Sequence, residues 1–257
     1  DEEFALLREM TAVSGQPLTC ARVQAHVIPD QWRQLLERRD PAAEDGLPMK
    51  AQVAGRPVGV LFGLELTLNP FSQHETYKAI AHLPLAERVA QLKDPALRAR
   101  LLSEELDPKG PFAGSALRAW DNMFLMREQP DYEPTAADTI KELAAARGLW
   151  PDEVALDHML SNGGRGMLYH PFLNYANGSL DPSFAMLSHR DTVPGLSDGG
   201  AHVGMICDGS FPTSNITHWT RDRTRGPKLA LEQMIRMQTR DTAEAVGLLD
   251  RGLVEPG

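Results

Sequence analysis

Gly195-Leu196-Ser197-Asp198-Gly199-Gly200-Ala201-His202 joins an apolar run to a carboxylate, two glycines and a histidine. With Val193 and Pro194 before it, the run predicts a short strand over Val193–Ser197, so that Asp198 stands at the strand's carboxyl end. In a parallel α/β barrel that end is the catalytic face. A carboxylate there can hold a divalent metal or take a proton from a metal-bound water. Gly199 and Gly200 permit positive φ and let backbone approach a ligand closely. Asp-Gly-Gly is also ordinary turn chemistry, so the structural reading stands beside the functional one.

The flanking sequence alternates in the same sense. Phe4, Leu6, Leu7 and Met10 predict a short amphipathic helix that stops near Ser14-Gly15, and Gln16–Cys20 opens a strand. Asp30 is suited to cap a helix whose Trp32, Leu35 and Leu36 share one face. Gly46 ends that helix, and Leu47–Val53 reads as the next strand. Helical crossovers between short strands are what a parallel sheet requires. From about residue 70 to 134 the pattern becomes helical, with Pro84 and Pro95 at helix starts and Leu85, Val89, Leu92, Leu97 and Leu101 as the apolar positions. This predicts a helical insertion without a clear strand. Two more helices follow over 136–160, the second opened by Pro151. A strand over Met167–Leu173 and a final helix over Leu229–Leu248 complete the expectation.

Composition bounds the rest. The chain has 257 residues, 42% hydrophobic and 24% charged, which is ordinary for a globular protein. Its 26 basic and 35 acidic residues leave a formal charge of −9, with no long basic stripe to match a nucleic-acid backbone. Apolar runs such as Val58–Leu64 are too short to span a bilayer, so no membrane partner is expected. Cys20 and Cys207 show no CxxC spacing and read as two unpaired thiols. A cytoplasmic location is expected from the lack of a signal pattern.

None of the eight histidines forms HxH or HExxH. His170 follows Met167-Leu168-Tyr169 and can face a barrel mouth, and His202 can bond to Asp198 or to a ligand. A hydrogen-bonded structural role is the alternative for each. Asn162-Gly163-Gly164-Arg165-Gly166 follows a helix and reads as its cap and loop. Arg221 or Arg223 can bind an anion, against the alternative of a solvated pair with Asp222.

Three segments together resemble one family: Leu196–Val203; Asp208-Gly209-Ser210-Phe211-Pro212-Thr213 leading to His218-Trp219; and Thr239-Arg240-Asp241-Thr242-Ala243 through Gly247-Leu248, Arg251-Gly252 and Pro256-Gly257. They are similar to the C-terminal part of the N-acyl-D-amino-acid deacylases (D-aminoacylases) of the amidohydrolase superfamily. Ala51–Gly59 and His82–Arg88 agree.

The resemblance implies a metal-dependent TIM barrel flanked by a small β-sandwich, and zinc-assisted hydrolysis of a linear amide in a small-molecule N-acyl amino acid. The family's general base, which is also a metal neighbour, falls on Asp198. Gly199, Gly200, His202 and Arg56 fall around the substrate. The family's first metal-binding His-x-His would lie upstream of residue 1, and Pro17–Gln24 carries no histidine where a metal-binding one is expected. The expectation is therefore an α/β chain forming a partial TIM barrel with a helical insertion at about 70–134, truncated at both ends and without the β-sandwich. Its open sheet edges favour self-association, and alone it would bind zinc poorly. A cyclic-amide hydrolase and a non-catalytic barrel-derived binding protein are the alternatives.

Overall fold

The computed structural model describes residues 2–37, 40–105, 116–197, 199–200, 202–206 and 208–256. Asp198 and Cys207 therefore lie outside the described residues, and with them the expected base and one of the two thiols.

The described residues form the strands β1 (Leu18–Arg22), β2 (Met49–Val53), β3 (Val58–Gly63), β4 (Phe124–Leu125), β5 (Met167–Leu173) and β6 (Thr192–Pro194). The chain divides into two units, one of residues 1–58, 172–199 and 208–257, the other of residues 59–171 and 200–207.

In the first unit β2 lies between β1 and β6, and both neighbours pair with it in parallel. Arg22 stands opposite Val53, and Val53 opposite Pro194, so the three strands end together. The helices Gln31–Glu37 and Asp40–Glu44 lie between β1 and β2 in the chain, which is the crossover that parallel pairing demands. Met49, Ala51 and Val53 are buried while Lys50 and Gln52 are only half-buried, the two-residue alternation of a strand with unequal faces. Among the described residues this is an open α/β sheet and not a closed barrel. The helix Glu2–Ser14 is oriented differently from the expectation. Thr11 is buried, with Phe4 and Leu7 half-buried on the same side, while Leu6 and Met10 are exposed. Spacing of i, i+3 and i+7 selects the inward face, and Leu6 and Met10 fall off it. The final helical stretch is also segmented: Leu231–Arg236 and Thr242–Ala245 flank a wider, π-type turn at Met237–Asp241.

The second unit packs helices Leu85–Lys93, Pro95–Ser103, Ile140–Arg147 and Pro151–Met159 around Phe62, Leu64, Phe71, Leu92, Leu101, Met123, Ile140 and Leu168. Asp94 caps Pro95–Ser103 by accepting from the Ala96 and Leu97 amides. Gly148 closes Ile140–Arg147 with φ 65°. This unit is wider than the stretch 70–134 and contains strands: its sheet runs β3-β5-β4, with Phe124 antiparallel to Tyr169. The run Val58–Leu64, read above only as apolar, supplies β3.

The glycine-rich segment after Met159 does form a turn, with Asn162 and Gly163 left-handed. Within it, a methyl group on Gly166 would lie 1.8 Å from the His158 carbonyl oxygen. Gly166→Ala is expected to destabilise the chain by about 1–3 kcal/mol, read as a lower midpoint in urea denaturation. An unchanged midpoint would mean that the turn opens at no cost.

Candidate functional site at the carboxyl ends of the parallel strands

Because β1, β2 and β6 stop in register, the chain leaves all three at one edge. The loops there are joined both by backbone bonds, Asn174 N–H to the Gln24 carbonyl and Gly195 N–H to the Val53 carbonyl at 2.9 Å each, and by side chains. Asn174, one residue beyond β5, is fully buried and left-handed at φ 62°. Its Oδ1 accepts from the Gln24 amide at 2.7 Å, and its Nδ2 donates to the Ala54 carbonyl at 3.1 Å. Asparagine tolerates this backbone better than most residues, and here its amide ties the exits of β1 and β2 together. Gln24 Oε1 in turn accepts from the Ala176 amide at 3.1 Å.

Arg56, also beyond β2, is 4% exposed. Its Nη2 donates to Asp208 Oδ1 at 2.9 Å, its Nη1 donates to Ser210 Oγ at 3.1 Å, and its guanidinium stands 4.3 Å over the Phe211 ring. Asp208 is itself 6% exposed. Such a cation needs an opposing charge and hydrogen bonds to be tolerated in the interior, and the loop 208–211 supplies them. The structure thus gives Arg56 to the chain's own carboxylate, whereas the sequence reading set it at the substrate.

Gly55 between these elements is also required by space. A methyl group there would meet Asn215 Oδ1 at 1.8 Å, and the Gly55 carbonyl accepts from Trp219 Nε1 at 2.6 Å.

The segment carrying Asp198 begins with strain. Leu196 is left-handed at φ 61°, a conformation that is costly for a bulky non-glycine residue and that concentrates at functional positions. A side chain at Gly199 would make only ordinary contact with Gly209, at 3.6 Å, and one at Gly200 would face open space. His202 belongs to the second unit, is exposed and has φ 59°, and its carbonyl accepts from the Met205 and Ile206 amides at 2.7 Å each. His170 is turned to structure: its Nδ1 contacts the Asn122 carbonyl at 3.0 Å, and burial holds its pKa below the usual histidine value. Arg221 forms an exposed two-bond pair with Asp222, at 2.6 and 2.9 Å. Arg223 is buried, donating to Asp181 at 2.6 Å and stacking 4.9 Å over Trp219.

Asp208 enters the sequence reading only within the segment Asp208–Thr213, without a role, and Asn215 does not stand out at all. Asn174 had a signal, a turn-forming polar residue directly after an apolar strand. The Arg56–Asp208 pairing had none, because it joins residues 152 apart.

Parallel strands with helical crossovers, and polar loops gathered at their carboxyl edge, define an open α/β sheet whose strand ends carry the candidate site. An amidohydrolase family model matches residues 1–257, and the chain belongs to that family. It is therefore assigned to hydrolases of amide and related bonds, which are typically metal-dependent. Neither a curated protein nor a solved structure gives a significant match.

The described residues do not by themselves fit a metal centre. Among them no three His, Cys, Asp or Glu side chains stand together as a ligand set. The donors at the strand ends are the amides of Gln24 and Asn174, already bonded to backbone, and Asp208, neutralised by Arg56. No helix of the described residues is long and apolar enough to cross a membrane.

Proposed function

We propose that the chain deacylates N-acyl-D-amino acids, cleaving a linear amide with Asp198 as general base. The observation that carries this reading is the amidohydrolase family match over the whole chain, and Asp198 is taken as the base because it is the first carboxylate after β6, four residues beyond Pro194. Asp198 takes a proton from water, the water oxygen bonds to the amide carbon, and the C–N bond breaks as the proton passes to the leaving amine. The products are a carboxylate and a free amino acid.

Arg56 acts as a positioning residue, holding the loop 208–211, and Gly199, Gly200 and His202 follow the base in sequence and are assigned to the substrate by the resemblance alone. The partner is a small molecule, not a nucleic acid. Zinc enters this reading only through the resemblance, and every step above is carried by water and side chain.

Asp198→Asn in the full chain is expected to lower kcat by about 10²–10⁴-fold, the usual worth of a general base, with an unchanged urea midpoint. A panel of N-acetyl D- and L-amino acids reads the chirality. Retained turnover in Asp198→Asn would remove Asp198 from the role, and hydrolysis confined to L-substrates or cyclic amides would replace the substrate.

A further inference from the structure

A cleft of about 170 Å³ opens beside the end of β6, lined by Leu196, Ser197, Phe211, Asn215, Gln238 and Thr242 among others. It lies wholly in the first unit, and none of the described residues that line it carries a charge. Its walls are braced. Gln238 Nε2 donates to the Pro212 carbonyl at 2.9 Å, and Phe211 is held from behind by the Arg56 guanidinium and packed with Ala54 and Val58. Asn215 is 2% exposed, and its Oδ1 has no hydrogen-bond partner among the described residues. Ser197 in the wall is the chain neighbour of Asp198.

We propose that this cleft receives the acyl group of the substrate and admits only a short, uncharged one. The proposal rests on the deacylase reading and adds the substrate's acyl class. An N-acyl amino acid offers three groups, a carboxylate, an acyl chain and the amino acid's side chain. A carboxylate moved into an uncharged, half-enclosed cleft gives up its hydration with no cation in return, which leaves the acyl chain and the side chain, and varying the acyl group on one fixed D-amino acid separates the two.

Size follows from comparison with a cavity of roughly 150 Å³ that accepts benzene. The cleft therefore accommodates an acyl group of about six carbon atoms. Gln238 is half-buried at its wall, so a larger side chain there shortens the acyl group that fits, and a smaller one lengthens it.

The test uses the full chain and one D-amino acid carrying formyl, acetyl, butyryl, hexanoyl, decanoyl or succinyl groups. Poorly fitting acyl groups are expected to lose about tenfold or more in kcat/KM, since one methylene in a hydrophobic pocket is worth about that much. Decanoyl, which is too long, and succinyl, which is charged, should both fall at least that far below hexanoyl. Gln238→Trp should lower the hexanoyl-to-acetyl ratio of kcat/KM by about tenfold, and Gln238→Ala should raise the decanoyl-to-acetyl ratio. Urea midpoints report whether each variant is folded. Equal kcat/KM from acetyl to decanoyl and succinyl, or both Gln238 variants slowing every substrate alike, overturns the cleft assignment and leaves amide hydrolysis standing. No turnover of any acyl derivative by folded chain overturns the deacylase reading and this inference with it.

Discussion

Arg56→Met is expected to destabilise the protein by about 3–5 kcal/mol, the usual cost of removing one partner from a buried ion pair. Asp208 is 6% exposed, and in that variant its carboxylate stays in the interior without the guanidinium that now meets it at 2.9 Å. The Ser210 hydroxyl loses its donor, and Phe211 loses the cation stacked on its ring. The pair itself is not the source of the loss. Desolvating two ions offsets much of their attraction, so exchanging both for apolar groups is often close to neutral. Arg56→Met combined with Asp208→Leu should therefore recover a large part of the stability, although neither single variant does.

Activity should separate from stability. The loop 208–211 is tied to the β2 exit through Arg56, and misplacing a reacting group by about 1 Å costs on the order of 10²-fold. The double variant should be folded and slow. Urea denaturation of the two single variants and the double variant, with kcat on the N-acyl substrate, gives all four comparisons. A loss below about 1 kcal/mol in Arg56→Met would place the pair among ordinary surface ion pairs and remove it from the site.

The strands that set this site were legible where local pattern and burial agree. Met167–Leu173 is read with its observed bounds, and the ends of β1, β2 and β6 fall within a few residues of expectation. The run Val58–Leu64 was visible as apolar, but its two glycines hid a strand whose partner, β5, is about a hundred residues away. The two-residue β4 inside the helical stretch had no signal of its own, because Phe124 and Leu125 are extended through pairing with Tyr169 and Leu168 and through a bridge from Phe124 to Thr139.

The same limit applies to the site. A carboxylate near a strand's end can be read from spacing, although β6 stops at Pro194 and not at Ser197 as expected, which leaves Asp198 four residues beyond it. Which cation neutralises Asp208, or which amide joins the exits of β1 and β2, depends on contacts between residues 120 or more apart. Left-handed Leu196 is a further case: leucine does not favour that backbone, so the turn before Asp198 is imposed by tertiary structure.

Acidification should loosen the second unit before carboxylates begin to protonate. Three of its histidines are held in the neutral form. His74 is 1% exposed, and burial followed by the neighbouring Arg118 lowers its pKa. Its Nε2 stands 3.0 Å from Arg118 Nη2, and Arg118 is paired to Asp152 at 2.6 Å. Glu104 and Asp152 pull the other way without prevailing. His158 and His170 are lowered mainly by burial, with ring nitrogens 3.1 and 3.0 Å from the Met126 and Asn122 carbonyls.

A histidine whose pKa is lower in the fold than in the unfolded chain makes the unfolded chain the better proton binder at intermediate pH. The stability it contributes is complete above the unfolded value of about 6.5. That stability is lost as the pH falls from there through the folded value. With three such groups, the urea midpoint should drop steadily between pH 7.5 and pH 5. Amide exchange should accelerate first in residues 59–171. His74→Gln removes one titrating group, so its midpoint should vary less with pH than that of the parent, even where the substitution lowers stability at neutral pH. A midpoint that is flat or rises on acidification over this window would mean that the histidines accept protons without leaving their places, and that Glu104 and Asp152 compensate the new charge beside Arg118.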